Sequence, residues 1–152
     1  PEFVSWAEEY SEVMTCDIEG RFPWTFYLPR DPNSFGEVMG DDGYFASEFL
    51  ACDFNEGKSN SDLRSTVVAF NEYLDENDSQ SPYFFGVYYP EYENSENDFL
   101  WGNWHSTFET MKAGNADWEE NGKAIQAKFD EISTCMSPDY YDSWELYNDP
   151  NS

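Results

Sequence analysis

His105 is the only histidine in this chain of 152 residues, so any imidazole acid or base and any histidine-dependent metal site has to be built on it. It follows Trp101, Asn103 and Trp104 and directly precedes Ser106-Thr107-Phe108-Glu109, an S-x-x-E capping pattern that opens a helix. A residue at such a strand-to-helix junction sits where a pocket between sheet and helices opens. It also has an ordinary role available as an exposed or capping side chain. The candidate ligand-binding residues are Trp101, Asn103, Trp104, Tyr83, Phe85, Tyr88 and Trp144, mostly aromatics on expected strands, which line a cavity or simply fill a core. Asp139, Asp142 and Glu145, or Asp41 and Asp42, could draw Ca²⁺, but no D-x-D-x-D-G loop accompanies them and no metal site is assigned. There is no P-loop, G-x-G-x-x-G, G-x-S-x-G or H-E-x-x-H. Those absences remove nucleotide cofactors, serine hydrolases and zinc proteases from the leading candidates, and no cofactor is expected.

Composition narrows the partners. The 32 acidic residues against 7 basic ones give a net charge of −25, which opposes binding to nucleic acid phosphates and to anionic membranes. The acidic surface has three readings: hydration in a salty or extracellular medium, cation binding by clustered carboxylates, and mimicry of a DNA backbone. With 39% hydrophobic and 20% aromatic residues, the chain can fill one sizeable core. No run of about 18 apolar residues suggests a membrane span. The start reads as truncated or processed, with Pro1-Glu2-Phe3 open to reading as a vector scar.

The helix expected over residues 117–135 organises the rest, because Trp118, Gly122, Ile125, Phe129 and Ile132 recur at helical spacing. Its last turn occurs twice. Phe129-Asp130-Glu131-Ile132-Ser133-Thr134-Cys135 matches Tyr10-Ser11-Glu12-Val13-Met14-Thr15-Cys16, and Asp-Pro-Asn-Ser follows both, at 31–34 and 149–152. Residues 1–30 therefore read as the terminal helix and strand of a truncated upstream module, with Trp6, Tyr10 and Val13 inward. Residues 31–43 are a linker, and residues 44–152 a complete module. If each module joins the cysteine of its first strand to the one ending its last helix, Cys52 bonds Cys135. Cys16 is left over, and the compartment is oxidising, either extracellular or periplasmic. Three buried free thiols in a cytosolic protein are the competing reading.

Within the complete module, strands are expected at 45–54, 83–89, 99–104 and 140–147. One helix carries Leu63, Val67, Phe70 and Leu74 on its inner face; a second begins after His105 and is interrupted at Gly114-Asn115. The order β-α-β-β-α-β predicts an α+β, ferredoxin-like fold, one antiparallel sheet with both helices on one face. At this point the chain resembles the dimeric α/β-barrel superfamily, which includes antibiotic-biosynthesis monooxygenases and stress-responsive barrel proteins. The resemblance covers residues 44–147 and is carried by element order, by Trp101-Gly102-Asn103-Trp104 before the helix and by the aromatic helix end. It implies a second copy of the module as partner, upstream in the chain or in an oligomer, and in some members a pocket for an aromatic or polyketide-like substrate.

Two functions follow. One is an acidic secreted binding or assembly protein acting through the aromatic sheet face. The other is a cofactor-independent monooxygenase or cyclase on a small aromatic ligand, with His105 as base. A cavity of a few hundred Å³ beside His105 with Trp101 or Trp104 on its wall favours the second; a filled interior favours the first.

Overall fold

The computed structural model describes residues 9–13, 22–31, 38–77 and 82–145. Trp6, Cys16, Leu146 and the second Asp-Pro-Asn-Ser lie outside them. Six strands, β1 (Trp24–Tyr27), β2 (Tyr44–Phe54), β3 (Tyr83–Pro90), β4 (Phe99–His105), β5 (Ser133–Cys135) and β6 (Asp139–Trp144), form one antiparallel sheet ordered β1-β3-β4-β2-β5, with β6 also on β2. Among the described residues three further elements are helices that accompany it: α1 (Asn60–Glu76), α2 (Phe108–Asn121) and α3 (Lys123–Ile132).

α1 joins β2 to β3 with β4 lying between them. α2 and α3 join β4 to the last strand with β2 between. These are the two split βαβ units of an α+β, ferredoxin-like fold, as the sequence predicts. Period-2 alternation divides the side chains: Leu50 and Cys52 of β2, Phe85 and Val87 of β3, and Phe99 and Trp101 of β4 face the helices. Leu63, Val67 and Phe70 of α1 and Ile132 of α3 close the core over them. Each such side chain contributes about 1.5–3 kcal/mol by leaving water.

Cys52 and Cys135 are register partners on adjacent strands and form a disulfide spanning 83 residues. The pairing expected from the repeat is present, but Cys135 lies on β5 and not on a helix end. Pairing with β2 captures residues 133–135 as strand, overriding their helical periodicity. The last strand then slips by one residue: Cys52 faces Cys135 while Phe49 faces Asp139. That bulge spans Met136 to Pro138, where the proline offers no N–H to the ladder.

The helix expected at 117–135 is two helices. The break falls at Gly122, and Gly114-Asn115 lie inside α2. The Trp118 ring packs where a Gly122 side chain would stand, 2.2 Å from the Cβ position, so only glycine fits beneath it. The capping box also shifts by one. Thr107 is the N-cap and exchanges hydrogen bonds with Thr110 at 3.1 and 3.0 Å.

β1 adds along β3 to the same sheet as the strands of residues 44–144. Asn71 Nδ2 of α1 donates to the Pro29 carbonyl at 3.0 Å, and Arg30 bonds Asn71 and Asp75, which fastens this stretch to α1. Tyr10 and Val13, expected inward, are exposed, Val13 by 83%.

Candidate functional site

Sheet register builds one polar corner on the helix-facing side. On β4, His105 lies opposite Tyr83 of β3 and Ala46 of β2; two residues earlier, Asn103 lies opposite Phe85 and Glu48. Tyr140 of β6 flanks Glu48 on its other side. Above the corner, α2 places Gly114 against the His105 ring and lowers the Asn115 amide onto Glu48. A Cβ at Gly114 would come 3.1 Å from His105 Cε1. This residue costs the helix about 1 kcal/mol relative to alanine, and it makes room for the imidazole. Gly114-Asn115 is thus part of the site and not a helix break.

The hydrogen bonds fix the corner's polarity. Trp101 Nε1 can only donate, and it donates to Asn103 Oδ1 at 2.8 Å. Tyr83 donates to the same oxygen at 2.7 Å. The Asn103 amide nitrogen is therefore turned to Glu48, donating to Oε2 at 2.7 Å, while Asn115 Nδ2 donates to Oε1 at 3.3 Å. Glu48 is only 5% exposed. Burial raises the Tyr83 phenol, and the charge of Glu48 raises it further, so Tyr83 stays a protonated donor. Tyr140 is raised by burial and then by Glu48.

His105, also 5% exposed, has its Nδ1 buried with no hydrogen-bond partner among the described groups. Burial lowers its pKa to about 4, so the ring is neutral at pH 7. The Tyr73 hydroxyl is buried and likewise lacks a partner. Native interiors leave few such atoms, and each requires an explanation.

Both orphans line a cavity of about 690 Å³ between the sheet and the helices. Trp101, Tyr83, Phe70, Trp118 and Phe129 supply aromatic walls, and Glu48, Asn103, His105 and Asn115 the polar corner. Among the described residues no lysine or arginine lines it. Among the described residues, no three His, Cys, Asp or Glu side chains converge to hold a metal.

Of the residues singled out from sequence, His105, Trp101, Asn103 and Tyr83 meet at this cavity. Phe85 lies one layer deeper, stacked on Trp101 with ring centres 5.1 Å apart. Trp104 and Tyr88 point to the opposite face of the sheet, because Trp104 is out of phase with Trp101 and Asn103 by one residue. There they join Phe26, Phe49, Phe84 and Tyr141 in a continuous aromatic layer. Trp144, 55% exposed, packs on Tyr44 at the edge of the sheet. Sequence reasoning missed Glu48, Asn115 and Tyr73. The signal for Glu48 was present: in residues 44–54 it shares parity with Leu50, Cys52 and Phe54, a charge on the inward face of a strand.

No family model, curated protein or solved structure matches this chain, so the reading of the site rests on its geometry.

Proposed function

We propose that this protein binds a small aromatic molecule in the cavity between its sheet and helices; the cavity lies beside His105 with Trp101 on its wall, the arrangement that the monooxygenase or cyclase reading also requires. The observation that carries this is the cavity itself, about 690 Å³, aromatic-walled, with one buried polar corner in which His105 Nδ1 lacks a partner. Burial lowers the His105 pKa to about 4, so at pH 7 its ring is a neutral hydrogen-bonding group on the cavity wall. The β-α-β-β-α-β order supports placing the chain with the dimeric α/β-barrel superfamily. The Cys52–Cys135 disulfide supports an extracellular or periplasmic setting. Among the described residues no helix is long and apolar enough to cross a membrane.

A saturation-transfer NMR screen of one- and two-ring aromatic fragments tests the reading. Hits should disappear in Ala113→Trp, a change at an exposed helix position on the cavity wall. A screen without hits, or hits indifferent to that substitution, rejects it.

A second reading, pairing with another copy of this chain, is favoured by the helix-free face. Phe26, Phe49, Tyr88 and Tyr141 meet there in an aromatic layer, with Phe26 and Tyr141 exposed. Such a layer is a sufficient contact surface for a matching one. Sedimentation equilibrium should give a dimer that Tyr141→Glu dissociates; a monomer of 17.7 kDa at high concentration ends this reading.

A further inference from the structure

We propose that the molecule held in this cavity is an aromatic amine, bound as its ammonium ion with the charged nitrogen between Glu48 and His105. The inference rests on the cavity-binding reading and adds the chemical class of the ligand.

Glu48 is a carboxylate taken out of water on a strand face that is otherwise apolar, which is costly without a charged partner. Its partners among the described residues are the two neutral amides of Asn103 and Asn115 and the neighbouring Tyr140 hydroxyl. Among the described residues no cationic side chain pairs with it. A carboxylate has about four lone-pair sites, so acceptor capacity remains on the cavity side. His105 lies diagonally across from Glu48 on the same face, about 7 Å away at Cβ by strand geometry. In the neutral tautomer protonated at Nε2, its buried Nδ1 is a second acceptor without a donor among the described groups.

An ammonium group answers both needs, because it brings a positive charge and three N–H donors to one point. The surroundings select for it. Among the described residues the carboxylates on the cavity wall are Glu48, Asp117 and Glu119 and no lysine or arginine accompanies them, so an anionic ligand meets repulsion there. The faces of Trp101, Tyr83 and Trp118 suit both an aromatic ring and a nearby organic cation. A neutral ligand would leave Glu48 with its charge unpaired. The fixed amide of Asn103, locked by Tyr83 and Trp101, keeps the carboxylate aimed before any ligand arrives.

Three probes of one shape test this: 2-phenylethylamine, 2-phenylethanol and 3-phenylpropionate. They are titrated at pH 7 against the full chain by calorimetry and by tryptophan fluorescence, which the phenyl ring does not obscure. The amine should bind at least about tenfold more tightly than the alcohol, and the acid least tightly. In Glu48→Gln the amine's advantage should vanish while the alcohol's affinity stays within about twofold. If alcohol or acid binds as tightly as the amine to the unaltered protein, the amine inference is overturned and the cavity reading survives. If none of the three binds, both fall. The comparison among probes on the unaltered chain decides the matter even where Glu48→Gln fails to fold.

Discussion

Removing the Cys52–Cys135 bond should lower stability by an amount that loop length fixes. The bond closes 83 residues that hold α1, β3, β4, α2 and α3, nearly the whole module. Closing a loop of that size removes about 15 cal/mol/K from the denatured chain, or about 4.5 kcal/mol at 25 °C. For a chain of 152 residues the unfolding entropy is about 0.3 kcal/mol/K, so Tm should fall by about 14 °C. The perturbation is Cys135→Ser, because Cys135 is exposed and Cys52 then remains as a small buried hydrophobe without a cavity. Both proteins should carry Cys16→Ser so that no other pairing competes. Thermal and urea unfolding at pH 7 give Tm and the m-value, and m should rise because the unlinked denatured chain exposes more surface. A Tm change under about 3 °C with an unaltered m would refute the loop-closure argument. Alkylation of Cys52 in the native protein would refute the bond itself.

Two further outcomes follow from burial. The unfolded His105 takes up a proton below about pH 6.5, whereas the folded one does so only near pH 4. Between those values the unfolded state binds more protons, so this residue's contribution is intact above pH 6.5 and is lost as pH falls, by about 3 kcal/mol at pH 4. Urea midpoints at pH 7.5 and 4.5 should therefore converge between the native chain and His105→Asn, and parallel behaviour would sink the argument. Gly86 and Gly102 are register partners that form a flat floor for Phe26 and Trp104 on the helix-free face. A Cβ on Gly102 would stand 2.5 Å from the Trp104 ring, which is itself buried, so Gly102→Ala should cost about 1–3 kcal/mol; an unchanged urea midpoint would show that the ring yields freely.

The candidate site was legible in part. His105, Trp101, Asn103 and Tyr83 could be chosen because their types are unusual and they cluster near a strand end. Trp104 could not be separated from Trp101 until the register of β4 was known, since one residue's difference in phase sends a side chain to the other face. Gly114-Asn115 looked like a helix break because local propensity says so. In the folded chain its cost is offset by the capping box at Thr107 and by what the two residues reach.

The sequence by itself set the β-α-β-β-α-β order of the main elements, the inner stripe of α1 and the acidic balance, and its repeat suggested Cys135 as the partner of Cys52. Those follow from periodicity and composition, which are local properties of the chain. Only tertiary structure decided that Glu48, Asn103, Asn115 and His105 share one corner, that 133–135 is strand and that a cavity stays open beside them. Residues 48, 103 and 115 are brought together by strand pairing and by the seating of α2, long-range contacts that no spacing along the chain encodes.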